Sequence, residues 1–304
     1  MSDFRFHGLC PATHTPFHPD GSLRLEVVEK QARHLRERGI GSVFIGGTTG
    51  ESASLTLAER RALAERWAQV GPATGIRVVV HVGANCLADA AELAAQAQSL
   101  KAAAVSMIAP TYFKPRNVEE LVACCAQVAA AAPGLPFYYY DIPAMTGMQF
   151  PVDDFLAQAA PRIPNLAGVK YSNADLGTYL LGRQAAGGRF DLPWGIDEYF
   201  LSALAMGARG GVGSTYNFVP GPLHRMIAAF GRGDLEACRL EQARLMQVIR
   251  IVAKRGYMGS AKALMTHLGV PVGPARLPNG NPDATAVKAM LGELEAIGFF
   301  SWKD

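Results

Sequence analysis

At Leu166-Ala-Gly-Val-Lys-Tyr-Ser172 the chain carries a short apolar run with a lysine in its middle. Such a run favours a β-strand, and Ser172-Asn-Ala-Asp175 at its end is typical of a helix start. Lys170 is therefore expected near the carboxyl end of a strand that leads into a helix. The other seven lysines, Lys262 among them, stand in polar or helical contexts where a charged tip can reach solvent.

A lysine that loses its hydration has a lowered pKa and becomes an amine nucleophile toward carbonyl groups. We therefore interpret Lys170 as a candidate for Schiff-base chemistry. The alternative is a lysine that extends from the strand end into solvent and has no chemical role.

The strand-then-helix order recurs along the chain. About eight such units fill roughly the first 225 residues, with β-like runs near residues 8–13, 42–45, 77–82, 105–109, 135–140, 166–172, 191–194 and 210–214. This alternation implies parallel strands with right-handed crossovers, and eight units match an α/β fold of the closed (β/α)8 TIM-barrel type. An open Rossmann-type sheet is the alternative, although no Gly-x-Gly-x-x-Gly motif follows the first strand.

Beyond about residue 223 the pattern is helical throughout. It predicts a long amphipathic helix over residues 235–252, a segment ending at residue 268 and a final helix over residues 285–297. We predict a barrel domain over residues 1–225 and a C-terminal appendage of three helices over residues 226–304, packed on the barrel. Within the barrel, Thr56 and Glu59 have the spacing of a capping box and predict a helix start.

Composition excludes several classes of partner. The net charge is +3 and no basic block is interleaved with aromatic residues, so nucleic acid is not expected to bind. No run reaches membrane-spanning length, and no apolar signal core opens the chain, so we predict a cytoplasmic protein without membrane association. Five cysteines without a Cys-x-x-Cys pair fit a reducing compartment. Pro16 interrupts the spacing of His14 and His18, and no metal site is predicted.

Glycine and threonine residues follow the second predicted strand, in Gly46-Gly-Thr-Thr-Gly-Glu51. The carboxyl ends of barrel strands gather the active site, and the hydroxyls and amides of Thr48 and Thr49 could hold an anion such as a carboxylate there. A purely structural turn is the alternative. At the eighth strand, Gly210-Gly-Val-Gly-Ser214 supplies further amides and a hydroxyl, without the spacing of a phosphate loop.

Two more strand ends carry groups with chemical potential. Tyr138-Tyr-Tyr-Asp-Ile-Pro143 places Tyr138 and Tyr140 on one face, and Tyr140, nearest the barrel mouth, could move a proton near a Schiff-base lysine. Packing in the core is the alternative for both rings. Asp197 and Glu198 follow another strand and could accept hydrogen bonds from a polyhydroxylated substrate, or could simply open a helix.

Four motifs together resemble the N-acetylneuraminate lyase / dihydrodipicolinate synthase family. They are residues 46–51, Tyr140-Asp-Ile-Pro143, Gly168-Val-Lys170 and Gly210-Gly-Val-Gly-Ser214, and the resemblance extends over essentially the whole chain. It implies a (β/α)8 barrel with three C-terminal helices, a homotetramer, and an enzyme that forms an imine with the 2-keto acid pyruvate. That imine on a lysine takes the place of any separate cofactor or metal.

The same resemblance assigns roles to individual positions. The Schiff-base position falls on Lys170, the proton-relay tyrosine on Tyr140, and the contacts to the pyruvate carboxylate on Thr48 and Thr49. Ser172 would assist near the carbonyl carbon. The hydroxyl-bearing tail of a sugar acid would be held by Gly195, Asp197, Glu198 and Ser214. Tyr112 is a candidate for the relay across a subunit contact.

Within the family, one stretch favours cleavage of N-acetylneuraminate to N-acetylmannosamine and pyruvate. Ala144-Met145 stands where the synthases usually carry an arginine for a second substrate carboxylate. Asp141, by contrast, replaces an asparagine that is frequent in the family. The alternatives are a related aldolase or synthase, acting on a 2-keto-3-deoxy sugar acid or on the dihydrodipicolinate precursor, and a non-catalytic sugar-acid sensor.

Overall fold

The computed structural model describes residues 4–304, so the first three residues of the predicted barrel domain lie outside the described part. Its strands are β1 (Gly8–Pro11), β2 (Ser42–Ile45), β3 (Arg77–His81), β4 (Ala104–Met107), β5 (Phe137–Asp141), β6 (Leu166–Tyr171) and β7 (Gly210–Gly213). Its helices up to residue 205 are α1 (Val27–Glu37), α2 (Leu57–Thr74), α3 (Leu87–Ser99), α4 (Val118–Ala129), α5 (Pro143–Thr146), α6 (Val152–Ala159), α7 (Leu176–Gly188) and α8 (Phe200–Ala205). The remaining helices are α9 (Pro220–Gly231), α10 (Leu235–Ala253), α11 (Tyr257–His267), α12 (Ala284–Ala296) and α13 (Phe299–Trp302).

The predicted alternation of strands and helices is confirmed, with one difference at the seventh predicted strand. Residues 191–194 form isolated parallel bridges, in which Asp191 pairs with Gly168 and Trp194 pairs with Tyr171 and Gly211. Pro193 accepts a hydrogen bond from the amide of Tyr171 (2.9 Å) but has no N–H to donate. The ladder is therefore interrupted, and the prediction of a regular strand there is wrong.

The helix predictions agree with the structure to within a few residues. Thr56 caps α2 and its side chain accepts from the amide of Glu59, so the predicted capping box is present. The C-terminal segment ends in the short α13, which the apolar pattern did not predict. Helix α9 continues through residue 225, and the division into domains at that residue stays a prediction.

Contacts group the described residues into two compact units. The first takes in Arg77–Val212 and the described N-terminal residues through His7. The second consists of Gly8–Ile76 and Gly213–Asp304. No helix in residues 4–304 is long and apolar enough to cross a membrane.

In the first unit, β3, β4, β5 and β6 pair in parallel in that order. The register between β5 and β6 shifts at Phe137, so that Tyr138 lies opposite Gly168 and Tyr140 opposite Lys170. A one-residue shift exchanges the two faces of a strand. The bulge therefore puts Lys170 on the same face as Tyr138 and Tyr140.

Gly168 is required by the close approach of the neighbouring segment. A Cβ atom at this position would lie 1.7 Å from the carbonyl oxygen of Asp191. That oxygen accepts from the amide of Val169 (3.0 Å), and the amide of Asp191 donates to Ala167 (2.9 Å). The glycine thus lets the chain at Asp191 pair with the strand that carries Lys170.

Below the candidate site, Tyr138 has a structural role. Its ring is fully buried against Phe6, and its hydroxyl donates to Oδ2 of Asp191 (3.0 Å). The amide of Phe6 donates to the same oxygen (2.8 Å). Burial raises the pKa of Asp191, and these two donors oppose the effect. Of the two tyrosines that share a face, Tyr138 is therefore anchored in the core.

In the second unit, β1 and β2 lie side by side. The amide of Thr13 donates to the carbonyl of Phe44 (3.0 Å), and Ala12 forms a parallel bridge with Phe44. The side-chain amide of Asn217 donates to the carbonyl of Ala12 (2.7 Å). Among the C-terminal helices, Arg225 on α9 forms a bidentate ion pair with the buried Glu241 on α10.

Candidate active site

Lys170 lies at the penultimate position of β6 and is 3% exposed. Its expected place near the carboxyl end of a strand is confirmed, and the alternative of a tip that reaches solvent is excluded. The Nζ atom lies 3.3 Å from the centroid of the Tyr140 ring and donates to Oγ of Ser172 (3.2 Å). A buried amine in contact with a polar hydroxyl and a π face is held in one position, as a nucleophile requires.

Tyr140 is the strand neighbour of Lys170 and is 4% exposed. On its other side the His81 ring stands edge to face with the tyrosine ring, with centroids 5.9 Å apart. His81 ends β3 and is buried. The tyrosine ring is thus held between the His81 imidazole and the Lys170 amine, at the end of the strand where the sequence predicts the site.

Ser172 connects the lysine to the chain at Gly195. Its hydroxyl donates to the carbonyl of Gly195 (3.1 Å) and accepts from Lys170. The amide of Ser172 donates to the carbonyl of Asp141 (2.8 Å), and the amide of Gly195 donates to Tyr171 (2.7 Å). A Cβ atom at Gly195 would lie 1.9 Å from the serine hydroxyl, so only glycine leaves room for this contact. The structure brings together four predicted site residues: Lys170, Tyr140, Ser172 and Gly195.

Asp141, the residue after Tyr140, is a buried carboxyl. Its Oδ2 accepts from the side-chain amide of Asn173 (3.1 Å), and the residue is 3% exposed. Burial raises the pKa of Asp141 to about 7, although the Asn173 hydrogen bond opposes this. The carboxyl therefore changes its charge near neutral pH.

We expect the replacement Asp141→Asn to stabilise the protein at alkaline pH. An unfolded chain releases this proton near pH 4 and the folded chain only near pH 7, so stability falls as the pH rises between these values. The loss is on the order of 4 kcal/mol, and asparagine, which still accepts from Asn173, avoids it. In thermal unfolding, the midpoint of the variant should exceed that of the parent at pH 8, and the difference should be clearly smaller at pH 5.

Asp154→Asn is the matched control, because Asp154 is an exposed aspartate in the first turn of α6. Its effect on the unfolding midpoint should be the same at both pH values, since this exposed side chain keeps its contact with water when the chain folds. An Asp141→Asn midpoint that differs from the parent equally at pH 5 and pH 8 would contradict the assignment.

Asp197 and Glu198 follow the 191–194 segment, as predicted, and form the three-residue 3₁₀ turn Asp197–Tyr199. Asp197 is buried and Glu198 is half-buried. Burial raises the pKa of Glu198, and the adjacent Asp197 carboxylate adds to the effect. Two carboxylates at a strand end suit hydrogen bonds from substrate hydroxyls.

The other predicted contacts belong to the second unit. Thr48 and Thr49 lie in the turn after β2, both half-buried, and the carbonyl of Thr48 accepts from the amide of Glu51 (3.0 Å). Ser214 follows β7, and its hydroxyl lies 2.6 Å from the hydroxyl of Tyr257 at the start of α11. Tyr257 was not predicted, since nothing in the local sequence relates it to Ser214.

Tyr112 is placed in the loop after β4 with a side chain that is 79% exposed. Its ring packs edge to face on the equally exposed Phe113, and its amide donates to Oδ1 of Asn85 (3.1 Å). The structure does not bring it together with Lys170 and Tyr140. Its part in a relay across a subunit contact stays a prediction.

A second interpretation of the sequence, after the strand at residues 191–194, is also wrong. Lys262 was grouped with lysines whose tips reach solvent, but it is 0% exposed and its ammonium group pairs with the buried Glu51. Lys262 lies in the middle of α11, where a helical context was taken to mean a surface position. Residues 4–304 therefore include two buried lysines, each on a different unit.

Comparison with known proteins gives consistent results. Residues 5–296 match the sequence model of the dihydrodipicolinate synthetase family. The N-acetylneuraminate lyase of Gallus gallus is 39% identical over 304 residues, covering 99% of this chain and 98% of that protein. The structure of Proteus mirabilis N-acetylneuraminate lyase covers 97% of this chain and 100% of its own, with a TM-score of 0.94 at 34% identity. A DHDPS structure from Cyanidioschyzon merolae, with lysine bound, covers 96% and 98% with a TM-score of 0.89 at 30% identity.

These likenesses confirm the predicted fold class. Parallel strands alternate with helices as in a (β/α)8 barrel, and helices follow at the C-terminus. The open Rossmann-type alternative is thereby excluded.

Proposed function

Because this chain belongs to the dihydrodipicolinate synthetase family, we propose that it is a class I aldolase that cleaves N-acetylneuraminate to N-acetylmannosamine and pyruvate. The observation that carries the proposal is the buried Lys170 amine beside Tyr140 and Ser172. The curated N-acetylneuraminate lyases that match almost end to end support the substrate. The enzyme is a carbon–carbon lyase.

The reaction begins at the Lys170 amine. Its nitrogen attacks the C2 keto carbon of the open-chain sugar acid, water leaves, and a protonated imine forms. The C4 hydroxyl then loses its proton, the C3–C4 bond breaks, and its electron pair moves into the imine. N-acetylmannosamine departs as an aldehyde and leaves an enamine on the lysine. Protonation of the enamine carbon and hydrolysis of the imine release pyruvate and restore the amine.

Tyr140 is proposed as a proton relay: its hydroxyl accepts the C4 proton while it passes its own proton to the substrate carboxylate, and a proton later returns by the same route to the enamine carbon. Its ring lies against the Lys170 amine, so its reach includes atoms bonded to that nitrogen. The Ser172 hydroxyl, which already accepts from Nζ, would orient the amine during attack. The electron sink is the imine itself, and the mechanism uses no metal or separate cofactor.

The remaining predicted residues are proposed to bind the two ends of the substrate. Thr48 and Thr49 would hold the carboxylate with amides and hydroxyls, which fixes the keto carbon before attack. The hydroxylated tail of the substrate would form hydrogen bonds with Gly195, Asp197, Glu198 and Ser214. Ala144-Met145 offers no cation for a second carboxylate, which favours the lyase over the synthase reaction.

The test is a substrate profile of the purified protein. N-acetylneuraminate, 2-keto-3-deoxy sugar acids, and pyruvate with aspartate semialdehyde are supplied separately, and pyruvate release or consumption is followed with a coupled dehydrogenase. We expect N-acetylneuraminate to have the highest kcat/KM. A higher value for either other substrate would reject the assignment in favour of the sister aldolases or synthases.

Glu198→Gln is expected to weaken binding of the sugar tail without affecting imine formation. The amide cannot accept hydrogen bonds at both of its terminal atoms, so KM for N-acetylneuraminate should rise about tenfold. Reductive trapping with pyruvate alone, which has no tail, should proceed at the parent rate. Equal KM values in variant and parent would remove Glu198 from substrate binding.

A cytoplasmic homotetramer is proposed on the family resemblance. Light scattering coupled to size-exclusion chromatography tests the subunit number. The exposed aromatic pair of Tyr112 and Phe113 is consistent with a protein surface that is covered in an assembly.

A further inference from the structure

The second buried lysine connects the C-terminal helices to the turn that carries Thr48 and Thr49. Lys262, on α11, donates from Nζ to Oε1 of Glu51 and to the carbonyl of Thr15, both at 2.9 Å. The Phe17 ring lies below the ammonium group, with its centroid 4.3 Å from Nζ. The side chains of both Lys262 and Glu51 are 0% exposed. The ammonium group is thus enclosed by a carboxylate, a carbonyl and a π face.

Glu51 adopts a conformation that its own backbone disfavours. Its φ and ψ angles of 55° and 36° are left-handed, which costs a residue with a side chain on the order of 1 kcal/mol. The side chain holds it there, since Oε2 accepts from the backbone amide of Arg276 (2.8 Å) while Oε1 accepts from Lys262. In turn, the amide of Glu51 donates to the carbonyl of Thr48 (3.0 Å).

A second contact fixes the same turn from Thr15. Its hydroxyl donates to the carbonyl of Gly50 (2.6 Å), and its own carbonyl accepts from Lys262. The two residues that follow Thr49 are therefore both held by hydrogen bonds that lead to Lys262. Gly50 is connected to it through Thr15, and Glu51 accepts from it directly. The position of Thr49 depends on where these neighbours are held.

Stability alone does not account for this arrangement. Burying two charges costs desolvation energy that their attraction only about balances, so a buried ion pair adds little net stability. Burial lowers the pKa of Lys262 to about 8, and the Glu51 carboxylate opposes the effect. The pair does fix the geometry, because the ammonium group and the carboxylate can compensate each other's buried charge only in one relative position.

We infer that Lys262 and Glu51 are positioning residues, through which α11 holds the Thr48–Thr49 turn in the form that receives the substrate carboxylate. The inference rests on the proposed function, in which that turn binds the carboxylate of a 2-keto acid. Neither residue touches the reacting atoms. Their loss should raise the pyruvate concentration needed for imine formation and leave the chemical competence of Lys170 intact.

The test is reductive trapping of pyruvate by Glu51→Gln over a range of pyruvate concentrations. The NH2 group of a glutamine would face either the Lys262 ammonium group or the Arg276 amide. Both of these are hydrogen-bond donors, so one hydrogen bond is replaced by a contact between two donors and the turn must shift. We expect the half-saturating pyruvate concentration to rise about 10- to 100-fold. The adduct at saturation should still approach one pyruvyl group per chain, because the Lys170 amine is intact. Unfolded protein would lower this plateau without changing the half-saturating concentration, so the two effects can be told apart.

Glu241→Gln is the matched control. Glu241 is an equally buried carboxylate in an ion pair with Arg225, on helices α10 and α9 rather than at the turn. Its half-saturating concentration should stay at the parent value even if its thermal stability falls. A rise in this variant equal to that in Glu51→Gln would assign the effect to general destabilisation and overturn the inference.

The double variant Lys262→Met/Glu51→Gln guards against failure of the single variant to fold. It leaves no unpaired buried charge and should be the more stable of the two. Its half-saturating concentration is also expected to rise, and a parent-like value would overturn the inference. Absence of any adduct on the parent protein would instead reject the proposed function, so the two failures are distinguishable.

Discussion

Lys170→Ala is expected to abolish cleavage of N-acetylneuraminate, with a loss of at least about 10⁴-fold in kcat. Every bond change in the proposed reaction passes through an imine on this nitrogen, and the nearby Ser172 hydroxyl does not form one. The substitution also removes the amine that lies over the Tyr140 ring. Coupled detection of pyruvate measures the loss.

The companion measurements separate chemistry from folding. Lys30→Ala, at an exposed position of α1, should keep the parent kcat. The circular dichroism spectrum of Lys170→Ala should match the parent, because the strand bonds of β6 involve its backbone and not its side chain. Turnover in the alanine variant within tenfold of the parent would exclude a covalent role for Lys170.

Tyr140→Phe is expected to lower kcat by about 10²–10⁴-fold. Phenylalanine keeps the ring beside the Lys170 amine and the edge-to-face contact with His81, so the substitution removes only the hydroxyl. Imine formation with pyruvate should therefore continue, while carbon–carbon bond cleavage should be slow. Single-turnover kinetics with N-acetylneuraminate would show an imine that accumulates.

Tyr138→Phe provides the contrast, since Tyr138 has the same side chain on the same face of β5 but donates to Asp191 in the core. It is expected to reduce thermal stability by about 1 kcal/mol through the lost hydrogen bond and to retain kcat. A Tyr140→Phe enzyme with near-parent turnover, or a Tyr138→Phe enzyme with the greater catalytic loss, would reassign the proton transfer.

The sequence predicted the strand ends well because their chemistry is local. An apolar run with one lysine identifies both β6 and the candidate Schiff-base lysine on it, and alternation along β5 puts Tyr140 on the face of Tyr138. What it did not contain is the bulge between β5 and β6, which decides that Tyr140 faces Lys170. Register is a property of two strands and cannot be deduced from either one.

The sequence analysis also missed contacts between segments that are distant along the chain. Lys262 lies 211 positions from Glu51, so no local pattern in the sequence relates the two residues. Glu51 could have been singled out only as the last residue of the 46–51 motif, and its left-handed backbone is visible only in the structure. Asp141 and Asn173 likewise meet through the pairing of β5 with β6, and the sequence alone showed only that Asp141 departs from the family's usual asparagine.

The most direct test of the central claim is to incubate the unmodified protein with pyruvate and borohydride, digest it and map the modified peptide by mass spectrometry. We expect one reduced pyruvyl group per chain, on the peptide that contains Lys170. Lys262, the other buried lysine, should remain unmodified, because its ammonium group is paired with Glu51. A chain that keeps its original mass, or one modified at Lys262, would contradict the proposed mechanism.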